Sequence, residues 1–209
     1  QQRMEQINER LFELARSRIR SGKHTPREHR AWFDQFTDYG PRQLGQPHTG
    51  YDALDALIDG MLHVDRAPQA RQAPTPEMVH LEPTPAGVIL EMVDRLHLVP
   101  EDVFYDLGSG LGQVTILVHL LAGVRTVGVE LEPAYIEVAC DHAWELGLSD
   151  VTFVNEDART ADYARGSVFY LFTPFMGRML QAVLDRLRSE ARARPIRICS
   201  YGPCTPHVA

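Results

Sequence analysis

Between an apolar run and a helical pattern lies the stretch Val103-Phe-Tyr-Asp106-Leu-Gly108-Ser109-Gly110-Leu-Gly112-Gln113. A strand that turns this abruptly into a helix needs backbone angles that side chains disfavour, and glycine also lets a ligand come close to the main chain. The glycines follow GxGxG spacing. A fold that cradles a dinucleotide pyrophosphate typically uses GxGxxG, whose third glycine packs helix on strand. Asp106, two residues before the first glycine, would repel a pyrophosphate and attract a cationic ligand.

The surrounding pattern supplies the fold that such a turn requires. Short apolar runs at 103–107, 126–129, 151–154, 168–172 and 196–201 read as strands, with helical patterns at 112–121, 133–146 and from 177 to about 192 between them. Strands that are apolar throughout and alternate with helices imply an α/β, Rossmann-like parallel sheet with helices on both faces. A small helical region precedes it. Helices are expected over residues 2–21, from Pro26 behind a Thr25 cap through Phe36, and from Tyr51 to about Leu62, with a loop from Tyr39 to Gly50. The Pro- and Ala-rich stretch Arg66 to Pro76 reads as a linker, which divides the chain into a helical region with linker, 1–76, and a core, 77–209. Thr84-Pro85 reads as the N-cap and first-turn proline of a helix running to about His97.

Two more strand ends carry acids. Glu130 closes the second strand, where a carboxylate would accept both ribose hydroxyl protons, and Asp157 follows the third, where it would accept from an adenine amino group. Taken singly, the glycines make a tight turn and the acids cap helices. Three strand-end signals in this order point to one shared site, and S-adenosylmethionine, with its sulfonium and ammonium, suits the acids.

On these residues the segment Asp106 to Ala158 resembles the class I S-adenosylmethionine-dependent methyltransferases. The wording Tyr105-Asp-Leu-Gly-Ser-Gly-Leu-Gly-Gln113, with Gly128-Val-Glu130 and a helical preface, is similar to the Dot1-like branch, known for methylating a histone lysine. The resemblance implies that Asp106, Gly108 and Gly110 contact the methionine part of the cofactor, Glu130 the ribose and Asp157 the adenine. Ser109, Gln113, Leu131 and Ala158 belong to the same motifs, and Thr84 lies in a segment that reaches over the cofactor in several relatives. The acceptor side falls to Thr173, Pro174 and Phe175 after the fourth strand. That sequence departs from the Asn-Pro-Pro-Tyr pattern of amide and amino-base methyltransferases and from the Asn-rich ending of Dot1-like enzymes. No residue stands out as a general base.

Composition narrows the partners. A net charge of −7 argues against a generally basic nucleic-acid surface without excluding a nucleic-acid acceptor. The sequence has no signal peptide and no apolar run of membrane-spanning length, so a cytoplasmic location is the default expectation. Three cysteines and the histidine spacings match no metal site, and the arginines after Asp185 read as a solvated helix face. The acceptor is expected to be a protein side chain, with lysine the model. A small-molecule or nucleic-acid methyltransferase, or a non-catalytic cofactor-binding module, is the alternative. The antiparallel sixth and seventh strands usual for the family have no sequence left after Tyr201, so the C-terminal strands are expected to be missing.

Overall fold

The computed structural model describes residues 2–39, 50–64, 67–73 and 75–208. Four helices come first: α1 (Gln2–Arg20), α2 (Pro26–Phe33), α3 (Ala53–Met61) and α4 (Ala86–Leu96). The alternating part follows as β1 (Val103–Leu107), α5 (Gln113–Ala122), β2 (Arg125–Glu130), α6 (Pro133–Glu145), β3 (Val151–Asn155), β4 (Val168–Phe172), α7 (Gly177–Ala193), β5 (Arg197–Tyr201) and the short α8 (Thr205–Val208). The strands pair in the order β3-β2-β1-β4-β5, and every pairing is parallel. This is the α/β, Rossmann-like sheet expected from the apolar runs, with β1 at its centre.

Period-two alternation splits β1 between two cores. Phe104 joins Val168 and Tyr170 against α4 and α5, in a cluster that continues into Phe33, Leu54 and Ile58 of the preceding helices. Val103, Tyr105 and Leu107 face the other way and pack with Tyr163, Phe169 and α7. α5 is buried on nearly every side, as its continuous apolar sequence requires.

Two expectations need correction. α2 ends at Phe33, because the Asp34 amide bonds back to Arg30 and Trp32 and Phe36 closes a tighter turn on Phe33. Thr84 is not the cap of α4. The N-cap position is Pro85, and the hydroxyl of Thr84 is bonded to the Tyr170 hydroxyl at 3.2 Å. The capping acceptor comes from another helix: Asp55 of α3 accepts the Ala86 amide at 2.7 Å and, with its other oxygen, the Asp52 amide at 2.8 Å. A carboxylate supplies the same charge complement to a helix N-terminus whether it is local in sequence or not.

Asp55 is 3% exposed, and burial raises its pKa against the pull of those two amides. Asp55→Ala leaves both amides unpartnered in a dry site. The expected cost is about 2 kcal/mol, or a melting temperature roughly 4–8 °C lower by calorimetry, with Asp55→Asn losing less.

Candidate functional site

The turn from β1 into α5 holds three glycines in the left-handed region: Gly108 (φ +84), Gly110 (φ +51) and Gly112 (φ +85). Space forbids side chains there as firmly as the angles do. A Cβ on Gly108 would lie 2.3 Å from Pro174 Cβ, one on Gly110 2.4 Å from Leu81 Cδ1, and one on Gly112 2.4 Å from the Phe153 ring. The loop is pinned on three sides. The Gly108 and Ser109 amides both donate to the Val129 carbonyl, the His142 imidazole of α6 donates to the Leu111 carbonyl at 3.2 Å, and the Gly110 amide donates to Glu130 at 3.0 Å.

Glu130 thus holds the loop with one carboxylate oxygen while the other accepts the Glu132 amide at 2.8 Å. Each oxygen keeps a lone pair for a further donor, as a ribose diol would supply. Burial raises its pKa against those amides. Asp106 points from β1 toward α5 and accepts the Thr115 hydroxyl at 3.1 Å. Its near-complete burial, with the charge of Glu130 adding to it, pushes its carboxyl up to about 7. Beside it the Ser109 hydroxyl is buried with no hydrogen-bond partner among the described residues.

These groups face two adjoining hollows that share Gly108. The larger, about 250 Å³, is lined by Gly108, Glu130, Leu131, Asp157 and Ala158 on one side and by Thr173, Pro174 and Phe175 on the other. The smaller, about 60 Å³, is lined by Thr84, Asp106, Ser109, Gly110 and Gln113. Every residue expected at the site therefore borders one hollow or the other. Asp157 is held by Arg159, whose guanidinium and amide keep its carboxyl below the usual carboxylate range. Gln113 donates to the Thr84 carbonyl at 3.2 Å, which fixes the segment over the glycine loop. The Thr173 hydroxyl is bonded to the chain after β5, on Tyr201 and Cys204.

Sequence reading missed one wall. The stretch expected to be a linker lies against the site, where Ala70, Gln72 and Ala73 border the larger hollow. Arg71 donates two hydrogen bonds to the Glu137 carboxylate, each at 2.6 Å, and the Gln72 amide donates to Glu132 at 2.9 Å. Further along, Glu77 accepts the Arg178 and Met179 amides at the start of α7, and Met78 bridges to Phe175. Pro203, from the turn after β5, also borders the hollow. Among the described histidines, His29 and His142 are buried.

The lining carries Glu82, Asp106, Glu130, Glu132, Glu156 and Asp157 and, among the described residues, neither lysine nor arginine. Such a site repels phosphates and stabilises a cation. S-adenosylmethionine fits it: a diol donor set for Glu130, an amino group for Asp157, and positive charge for the buried Asp106.

Comparison with known proteins agrees. Residues 77–167 match the family model described as histone methylation protein DOT1. An RNA methyltransferase from Salinibacter ruber, solved with S-adenosyl-L-homocysteine, is 31% identical over 52% of this chain and 71% of its own, with a TM-score of 0.48. The chain belongs to the class I S-adenosylmethionine-dependent methyltransferases. A methyltransferase from Geobacter sulfurreducens, also solved with S-adenosyl-L-homocysteine, is 23% identical over 54% of this chain and 46% of its own, TM-score 0.45. Geranyl diphosphate C-methyltransferase from Streptomyces coelicolor is 21% identical over 55% and 42%, TM-score 0.45. The chain spans less than half the length of these last two proteins. Among curated proteins no sequence matches it. No described helix is long and apolar enough to cross a membrane.

Burial pushes the Asp106 carboxyl up to about 7, so a cation that binds beside it would have to displace a proton at lower pH. With Asp106 in that role, affinity for S-adenosylmethionine should rise with pH, approaching tenfold per unit on the acid limb, and level near neutrality. Calorimetric titration from about pH 5.5 to 8 checks this. Asp106→Asn should bind weakly at every pH with the slope removed, and a flat wild-type profile would contradict the assignment.

Proposed function

We propose that the chain transfers the methyl group of S-adenosylmethionine to a protein side chain, an amine such as that of lysine being the acceptor its cleft suits best. The observation that carries this reading is the lining: besides Asp106, Glu130 and the Arg159-paired Asp157, which this reading gives to the cofactor, it carries Glu82, Glu132 and Glu156 and no lysine or arginine among the described residues. A protonated amine is drawn to such a mouth, and a phosphodiester backbone is driven from it. The description of the matching family model, histone methylation, supports the same class of acceptor.

When bound, the cofactor supplies a methyl group activated by a positively charged sulfur. The chain's own residues then have to bind, align and exclude water. In this reading Glu130 takes the ribose hydroxyls, Asp157 the adenine amino group and Asp106 the charged methionine end. Gly108, Gly110 and Ser109 leave the main chain open to the ligand, and Gln113 with Thr84 closes over it. Leu131 and Ala158 line the adenosine side. Pro174 and Phe175 form an apolar wall on the acceptor side, with Thr173 behind them. An amine pressed against that wall loses water, which favours its neutral, nucleophilic form without a dedicated base. The division into 1–76 and 77–209 belongs to the same proposal, with the helices before residue 77 flanking the acceptor approach. Tyr51 there donates to the Pro83 carbonyl at 2.9 Å. Residues 40–49 of the loop expected from Tyr39 to Gly50 lie outside the described residues.

The test is transfer of radiolabelled methyl from S-adenosylmethionine to cell lysate, followed by separate protease and nuclease digestion. Label should be released by protease and recovered as methyl-lysine. Label released by nuclease would replace the protein acceptor with a nucleic acid. Tight binding of S-adenosylhomocysteine with no labelled product at all would leave only a cofactor-binding module.

A further inference from the structure

We propose that Thr173 is a positioning residue, a strained clamp that fixes the Tyr201–Cys204 turn so that Pro203 borders the same cleft as Pro174. That this end of the hollow is the acceptor side rests on the methyltransferase reading; the clamp itself does not.

Thr173 has φ +41, one of three positive values among the described non-glycine residues. A β-branched side chain disfavours that region, and the residue before a proline is pushed toward extended angles as well. Thr173 precedes Pro174 and so opposes both preferences. Such a conformation persists only where the surroundings impose it, and it concentrates at sites where geometry matters more than stability.

The surroundings here are specific. The Thr173 hydroxyl is buried, donates to the Tyr201 carbonyl at 3.4 Å and accepts the Cys204 amide at 3.2 Å. It therefore ties the end of β4 to the chain leaving β5, just beyond the last strand pairing at Phe172 and Tyr201. The turn is shaped to receive it. Gly202 has φ +81, and a Cβ there would lie 2.9 Å from the Thr173 hydroxyl oxygen. Cys204, 1% exposed, tucks its thiol under the Leu171 and Tyr201 carbonyls.

Two prolines are placed as a result. Were Thr173 extended, β4 would continue and carry Pro174 away from Gly108, against which it is packed. The clamped turn also sets Pro203 on the border of the same hollow. Both prolines thus depend on one hydroxyl whose bonds are made to the Tyr201 carbonyl and the Cys204 amide, so that Thr173 acts by positioning them.

The experiment uses the full chain with Thr173→Ser, Thr173→Val and Thr173→Gly. Three readouts are compared: labelling of Cys204 by N-ethylmaleimide, mapped by peptide mass with exposed Cys140 as internal standard, affinity for S-adenosylhomocysteine, and kcat and KM for methyl transfer to the lysate protein fraction. Thr173→Val and Thr173→Gly should label Cys204 about tenfold faster or more while Cys140 is unchanged, because the turn opens without global unfolding. They should keep cofactor affinity within about threefold and lower kcat by roughly tenfold or more, a loss of alignment. Thr173→Ser, which keeps the hydroxyl, should restore protection of Cys204 and most of the rate. Unchanged Cys204 labelling in the Val and Gly variants overturns the clamp. Faster labelling with unchanged kcat overturns its role on the acceptor side. Failure of the wild type to bind S-adenosylhomocysteine would instead strike the methyltransferase reading, with the labelling rates still deciding the clamp.

Discussion

The turn between β1 and α5 has room for main chain and nothing more. Three glycines there take angles that other residues resist, and each is faced within contact distance by a different part of the molecule: Pro174 from the end of β4, Leu81 from the segment before α4, Phe153 from β3. A loop so enclosed fixes its neighbours as much as they fix it. The ends of β1 and β2 meet through the Val129 carbonyl, α6 joins through His142, and the acid at the end of β2 is oriented by the loop's own amide. Placement of the carboxylates follows from steric exclusion before any ligand arrives.

That placement is electrostatically costly. Asp106 and Glu130 both have raised pKa values because burial removes water from them; the charge of Glu130 adds to the rise at Asp106, and that of Glu132 to the rise at Glu130. The sign is definite. A carboxyl whose folded pKa lies above its unfolded one withdraws stability as pH climbs from the ordinary carboxylate range toward about 7. A cation bound beside Asp106 would offset the penalty there, and binding would then be linked to folding stability through that carboxyl. The unpartnered Ser109 hydroxyl beside them fits the same pattern of a site completed by its ligand.

The sheet was legible because its signal is local. Apolar runs of strand length, separated by helical periods, located the five strands to within about two residues at their ends. Glycine spacing and strand-end acids were equally local, and every expected site residue borders one of the two hollows. What could not be read depends on partners distant in sequence. Thr84 has the look of a cap, yet the acceptor that serves the Ala86 amide sits on α3. The stretch before Glu77 has the proline and alanine content of a linker, and nothing in that content distinguishes a free linker from one anchored to Glu132 and Glu137. Arg186 and Arg194, read as solvated, reach the carbonyls of Ala161 and Tyr163. The strain at Thr173 has no sequence signal at all, since threonine before proline ordinarily marks extended chain.

The helices ahead of the core take part in this geometry. Arg16 of α1, buried beside Ala15 and Ile19, donates to the Gly60 and Met61 carbonyls at the end of α3, which stations that helix. α3 in turn presents Asp55 to the first amide of α4. The residues immediately before that amide, Leu81 to Thr84, border the smaller hollow, and Leu81 and Glu82 border the larger one as well. A shift of α3 would therefore move the cover of the hollows and, through Leu81, press on the glycine loop at Gly110. The chain of contacts from Arg16 through Asp55 to Thr84 makes the helical preface a support for the cover, while β1 and β2 support the floor. Cover and floor meet through Gln113 on the Thr84 carbonyl, through Leu81 against Gly110 and through the Thr84 and Tyr170 hydroxyls, so a ligand in the hollows is held between two surfaces with largely separate supports.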